Sequence, residues 1–164
     1  MIQFGEDKYK AALKTLWKCC FPEDDDEYIA FYFDEIYKND ESLIYLEDEK
    51  PVAFLQMIPW RKGGYLSGVM THPEYQNSGI SSRLILKSFD EMREKGYDYT
   101  FLIPQENRLT KFYEKFGYVS AYPEYQTVLR NFFNWKAILF VDEDELESAF
   151  HKSMIKFLHG KTEL

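Results

Sequence analysis

The segment Gly64 to Leu86, GYLSGVMTHPEYQNSGISSRLIL, constrains the fold more than any other part of the chain. Tyr65 to Thr71 has the β-branched and aromatic content of a strand, and Pro73 takes the backbone out of the sheet near His72 by removing a donor and fixing φ. From Gly79 the apolar spacing becomes helical. It predicts a helix running to Lys95 and stopping at Gly96, with Leu84, Ile85, Phe89 and Met92 inward and Lys87, Ser88 and Glu91 outward. A helix N-terminus therefore follows directly from the end of a strand.

At such an N-terminus the first four N–H groups lack intrahelical partners, and the peptide dipoles sum to about half a positive charge, so anions bind there. Gln76-Asn77-Ser78-Gly79-Ile80-Ser81 supplies small residues where a pyrophosphate would approach the backbone, and Gly79 has no Cβ to obstruct it. A phosphate-bearing cofactor is the expectation. Asn and Ser ahead of a Gly are also ordinary capping residues, and the hexapeptide alone does not choose between the two readings.

At 164 residues and 45% hydrophobic, the chain fits one globular domain with a full core. Its formal charge of −8 repels a phosphate backbone, so nucleic acid is not an expected partner, whereas a polyamine, an aminoglycoside or an exposed lysine is a natural one. The same acidity also serves solubility alone. No apolar run approaches the ~18 residues of a membrane span, and the start, MIQFGEDKYK, lacks a signal pattern, so a cytoplasmic protein without a membrane partner is expected. Cys19 and Cys20 are the only cysteines and read as reduced structural thiols; with His72, His151 and His159 spread along the chain, no metal site is expected.

In chain order, Glu6/Asp7 opens a helix carrying Tyr9, Leu13, Leu16/Trp17 and Cys20 on one face, ended by Pro22. The acidic run Glu23 to Glu27 reads as a linker and helix start. A second helix follows with Ile29, Phe33, Ile36 and Tyr37 inward; its Tyr28, Phe31 and Tyr32 either pack in the core or line an acceptor pocket. Ser42 to Leu46, Val52 to Pro59 and Tyr65 to Thr71 form three successive antiparallel strands. Tyr97 to Ile103 is the next strand, joined to the third by a parallel crossover through the helix. Asn107 to Lys115 is a short helix, and Tyr118 to Ala121 with Tyr125 to Leu129 is a final strand pair. Residues 131–164 read as an extension, a strand over Trp135 to Val141 and an amphipathic helix from Asp142, which packs on residues 1–130, docks a partner or opens a longer protein.

With these elements in order, residues 1–130 resemble the GCN5-related N-acetyltransferase (GNAT) family. Two motifs carry the resemblance. Val69 to Ser81, VMTHPEYQNSGIS, is similar to the family's strand and acyl-CoA loop, with Gln76 and Gly79 in place and Ser81 where the family has Gly or Ala. Phe112 to Tyr118, FYEKFGY, is similar to its Tyr on a short helix before a Gly and an aromatic. The wording of both is most similar to the subgroup of the mycobacterial enhanced-intracellular-survival acetyltransferase, whose terminal carboxylate takes part in catalysis; that role is not carried over to Leu164.

The resemblance implies an α/β fold of α+β type with a mixed, mostly antiparallel sheet flanked by helices. It implies acetyl-CoA as acyl donor, held by Val69, Met70 and Thr71 through strand backbone and by Gln76, Asn77, Ser78, Gly79, Ile80, Ser81 and Ser82 in the loop. Asn107 stands where the family has an Asn before the Tyr, one residue closer than usual.

Acyl transfer to an amine needs a neutral amine, a polarised carbonyl and a proton for the departing thiolate. Amides around Val69 to Thr71 are candidates for the second, aided by a bulge at Gly68, and the phenol of Tyr113 for the third, unless it merely packs beside Phe112 and Phe116. For a base, Asp34 and Glu35 are candidates to relay a proton through water, or they are surface charges. The expected activity is transfer from the CoA thioester to a small cationic amine or a lysine. The alternative is an acyl-CoA-binding or interaction module without turnover, and homo-oligomerisation stays open.

Overall fold

The computed structural model of the chain describes residues 1–105, 107–120 and 129–132. A short strand, β1 (Ile2–Phe4), precedes a 3-10 turn and helix α1 (Lys10–Cys20). Helix α2 (Asp26–Phe31) starts on Asp25, whose carboxylate accepts the Tyr28 N–H, and widens into a π-helical turn over Tyr32–Ile36. Strands β2 (Ser42–Glu47), β3 (Lys50–Trp60) and β4 (Gly63–Thr71) lead to helix α3 (Ile80–Glu94) and β5 (Tyr99–Leu102). Helix α4 (Thr110–Glu114), preceded by a 3-10 turn Asn107–Leu109, is followed by β6 (Val119–Ser120) and β7 (Leu129–Phe132).

The strands form one mixed sheet in the order β1-β2-β3-β4-β5-β7-β6. Every neighbouring pair is antiparallel except β4 with β5, which the α3 crossover makes parallel as expected. Alternate residues of the central strands feed two cores. Leu43, Leu55, Met57 and Leu66 pack with Leu84, Ile85, Phe89 and Met92 of α3, and Ile44, Phe54 and Met70 pack with Leu13, Trp17, Tyr32 and Phe33 of α1 and α2.

Three expectations change. Strand β1 was not anticipated: three residues have too little period to announce themselves, and pairing of Ile2 to Phe4 with Tyr45 to Leu43 is what makes them a strand. On α3, Ser88 and Glu91 are buried rather than outward, because the helix lies against three strands and its buried stripe is wider than four residues. Each finds a local partner, Ser88 Oγ donating to the Ile85 carbonyl at 2.7 Å and Glu91 pairing with Lys87 at 2.6 Å. Finally, β7 covers Leu129–Phe132, beyond the expected end at Leu129, and inserts between β5 and β6, while residues 121–128 of the expected pair Tyr118 to Ala121 and Tyr125 to Leu129 lie outside the described residues. The compact unit containing it is Met1–Asn134; the expected strand at Trp135 to Val141 and helix from Asp142 lie outside the described residues.

Candidate active site

Strands β4 and β5 pair only from Gly63↔Tyr99 to Tyr65↔Phe101. Past that point β4 has no partner on its β5 side among the described residues, and a cavity of about 400 Å³ opens between the two strands. Leu66, Ser67, Gly68 and Val69 of β4 and Leu102 and Ile103 line it from the sheet. Tyr113 of α4 lies on the same cavity, and so do Trp17, Phe21 and Tyr28 from α1, α2 and the turn between them.

A bulge shapes the β4 wall. Phe54 pairs with Met70 and Gln56 with Ser67, so Gly68 and Val69 together stand opposite the single residue Leu55. Gly68 has φ +59, the left-handed conformation a bulge of this kind asks of glycine, and a Cβ there would lie 2.9 Å from the rings of both Phe54 and Trp17. Beyond the bulge the His72 N–H bonds the Val52 carbonyl at 2.8 Å. The alternation of an antiparallel ladder then directs Met70 to β3 and leaves the Thr71 amide and carbonyl facing away from it. In keeping with this, the Thr71 carbonyl accepts from Gln76 Nε2 at 3.3 Å and Cys20 Sγ at 3.5 Å.

The turn from β4 into α3 is open. Gln76, Asn77, Ser78 and Gly79 are all exposed, and Asn77 (φ 60) and Gly79 (φ 79) both adopt left-handed backbone to make the turn. An added Cβ at Gly79 would meet nothing within 4 Å, so the space before the helix is free for a ligand. The first bond of α3 runs from Arg83 N–H to the Gly79 carbonyl, which leaves the amides ahead of it without intrahelical partners.

Among the loop residues, several side chains are already committed. Thr71 Oγ1 and Ser81 Oγ share a hydrogen bond at 2.7 Å, Ser78 Oγ donates to the Tyr75 carbonyl, and the side chains of Met70 and Ile80 are buried in the two cores. What these positions present to a ligand is backbone, and such an amide-lined mouth fits a pyrophosphate. Replacing Gly79 by Ala is expected to cost ~1–2 kcal/mol of stability for the left-handed backbone. Acetyl-CoA affinity should fall about tenfold besides, since the new methyl enters the ligand's space. Chemical denaturation and calorimetry measure the two effects separately.

Tyr113 is 6% exposed, stacked edge-on against Phe112 and Tyr118, and its hydroxyl has no hydrogen-bond partner among the described residues. It both packs and lines the cavity. Burial, and to a smaller degree the neighbouring Tyr65, pushes its phenol up to about 12. Tyr65, which also lines the cavity, is raised to about 12 by burial and then by Tyr28, and Tyr28 is raised by burial and then by the Asp24 carboxylate. Three protonated phenols thus surround the cavity. Asn107 lies in the turn leading into α4, and its side chain is outside the description.

Of the three aromatics with two readings, Tyr28 lines the cavity, Tyr32 is core and donates to Ser67 Oγ at 3.1 Å, and Phe31 is 41% exposed. The suggested relay acids do not reach the cavity. Asp34 pairs with Lys14 at 3.0 Å and Glu35 is exposed, neither lining it, because the second helix turns that face outward. The acids that do line it are Glu23 and Asp24, which sequence reasoning took as a linker. Their one signal was acidity just ahead of an aromatic-rich helix. Among the described residues no group of three or more His, Cys, Asp or Glu side chains is placed to hold a metal ion.

Solved acetyltransferases share this architecture. A GNAT family acetyltransferase from Brucella melitensis, in complex with acetyl-CoA, is 16% identical with a TM-score of 0.67 over 82% of this chain and 88% of its own. The ribosomal-protein-S18-alanine N-acetyltransferase of Escherichia coli is 16% identical with a TM-score of 0.68, over 84% of this chain and 96% of its own. The aminoglycoside 6'-N-acetyltransferase of Enterococcus faecium is 17% identical with a TM-score of 0.69, over 80% and 96%. No curated protein matches the chain in sequence. A model of the acetyltransferase (GNAT) domain matches residues 2–121, and the chain belongs to that family.

Proposed function

We propose that this chain moves an acetyl group from acetyl-CoA to a primary amine, of a small cationic molecule or a lysine, by direct attack. One observation carries the reading: the Gly68–Val69 bulge and the Tyr113 phenol line one cavity, and the same strand ends at the open N-terminus of α3. Acetyl-CoA supplies an activated thioester. Amides of Asn77 to Ser82 hold its pyrophosphate, with Gln76 tying the loop to Thr71. Amides of the Val69 to Thr71 stretch donate to the thioester oxygen more strongly as it gains charge. Tyr113, kept protonated by burial, holds the proton that the sulfur needs on leaving.

The motif wording supports a place near the subgroup of the mycobacterial enhanced-intracellular-survival acetyltransferase. Two free thiols, Cys19 and Cys20, support a cytoplasmic setting, and no helix among the described residues is long and apolar enough to cross a membrane. Residues 1–130 form the catalytic domain in this reading. The test is CoA release from acetyl-CoA across an amine panel, with calorimetry of acetyl-CoA alongside. Turnover supports the transferase; tight binding with no turnover on any amine supports a binding module instead.

A further inference from the structure

A pair of hydroxyls runs from the aromatic core under α1 and α2 to the cavity. Tyr32 is 2% exposed, its ring lies 4.5 Å from that of Trp17, and its phenol donates to Ser67 Oγ at 3.1 Å. Burial pushes the phenol up, against a smaller opposing effect of the Ser67 bond, so it stays a donor. Ser67 is itself 9% exposed and lines the cavity directly ahead of the Gly68–Val69 bulge. A phenylalanine would fill the same core space as Tyr32. What the hydroxyl adds is the bond to Ser67.

The backbone that delivers Tyr32 is of a rare kind. Tyr32 opens the π-helical turn Tyr32–Ile36, a form that recurs at functional sites. The far end of the turn is pinned as well: Gln56 Nε2 donates to the Ile36 carbonyl at 2.9 Å, and Gln56 is the β3 partner of Ser67. Both ends of the turn are thus tied to one rung of the sheet. That rung is incomplete. Gln56 Oε1 is buried without a hydrogen-bond partner, and the Ser67 hydrogen has no acceptor among the described residues. Buried polar groups left over in this way call for a further partner.

A strand rises ~3.3 Å per residue, which puts Ser67 roughly 6–7 Å along β4 from the Val69 amide. A nitrogen ~3 Å from a hydroxyl and ~3 Å from a carbonyl carbon fits that gap. We propose that Ser67 aims the attacking amine: its Oγ accepts one amine N–H, which turns the nitrogen lone pair toward the thioester carbon. This rests on the acyl-transfer reading and deepens it. Tyr32 holds Oγ in place, and the Ser67 hydrogen turns to Gln56 Oε1, leaving the second Oγ lone pair to the amine. In the step, the neutral nitrogen bonds the acyl carbon and the carbon–sulfur bond breaks with its electron pair on sulfur. Sulfur takes a proton from Tyr113, the new amide nitrogen gives one to solvent, and solvent restores Tyr113; Ser67 ends unchanged. Nitrogen gains positive charge as it shares its lone pair, so its bond to Oγ strengthens in the transition state.

The experiment measures CoA release from acetyl-CoA over the amine panel for wild type, Ser67→Ala and the double variant Tyr32→Phe/Ser67→Ala, with urea unfolding of each. Ser67→Ala strands the Tyr32 hydroxyl in the core, so it loses stability as well as rate; removing both hydroxyls leaves nothing unpaired there and returns the unfolding midpoint close to wild type. The double variant is nonetheless expected to keep kcat/KM ~10-fold or more below wild type, with acetyl-CoA affinity by calorimetry within about twofold. A pair that only holds the fold together would recover rate along with stability. A double variant as active as wild type, or one whose lost rate is matched by lost acetyl-CoA affinity, therefore overturns the proposal. Wild type that releases no CoA from any amine refutes acyl transfer itself, and the role of Ser67 with it.

Discussion

Tyr113→Phe is expected to lower kcat for acetyl transfer by ~10²–10⁴-fold while leaving acetyl-CoA affinity within about twofold. The substitution removes one oxygen and keeps the edge-on packing against Phe112 and Tyr118, so the fold survives it. With its phenol pushed up to about 12, Tyr113 is some three to four pH units less acidic than an ordinary thiol, roughly 5 kcal/mol uphill as a donor. The same desolvation disfavours a thiolate left in the cavity, which closes part of that gap.

A sign follows for the pH profile. A raised phenol stays in its acid form to higher pH, so the wild-type rate rises as the acceptor amine loses its proton and shows no descending limb until pH approaches 12. A descending limb near pH 8–9 that disappears in Tyr113→Phe would mean the phenol is far more acidic than its burial implies. Equal rates for the two proteins would remove Tyr113 from the mechanism.

Gly68→Ala is expected to lower unfolding stability by ~2–4 kcal/mol, combining the left-handed backbone of a non-glycine residue with overpacking of a filled core. The new Cβ meets two buried rings, Phe54 and Trp17, neither of which is a flexible chain end. Because Trp17 also holds Asp24 and lines the cavity, kcat/KM should fall as well. Urea denaturation should show a lower midpoint at unchanged m-value. A stability change within ~0.5 kcal/mol would mean that the bulge relaxes without cost and does not hold the strand in shape. The contrast with Gly79→Ala is informative: both glycines are left-handed, but only Gly68 is enclosed.

Where one local signal sufficed, the sequence was legible. Pro73 ends β4, Gly79 starts α3, and the successive β-capable runs from Ser42 to Thr71 with the 3.6-residue period after them yield the antiparallel strands and the parallel crossover. The bulge was readable because a glycine inside a strand often marks one.

Non-local pairing was not legible. Ile2–Phe4 is a strand only by its partner, and β7 reaches its place between β5 and β6 through pairing that no short-range pattern encodes. The outward placing of Ser88 and Glu91 failed because polar type outweighed position, whereas a helix against three strands buries small or locally paired polar residues too. Of the candidate cavity, Val69 and Tyr113 were singled out from the sequence and line it. The acidic wall was not, because Glu23 joins Gln105 across 82 residues of chain, and only the folded sheet makes them neighbours.

The most direct test of the account is a crystal structure of the protein with acetyl-CoA bound. It should place the pyrophosphate within hydrogen-bond distance of the amides of Asn77 to Ser82 and the sulfur in the cavity between Val69 and the Tyr113 hydroxyl. A nucleotide bound elsewhere, or a Tyr113 oxygen turned away from the sulfur, would contradict it.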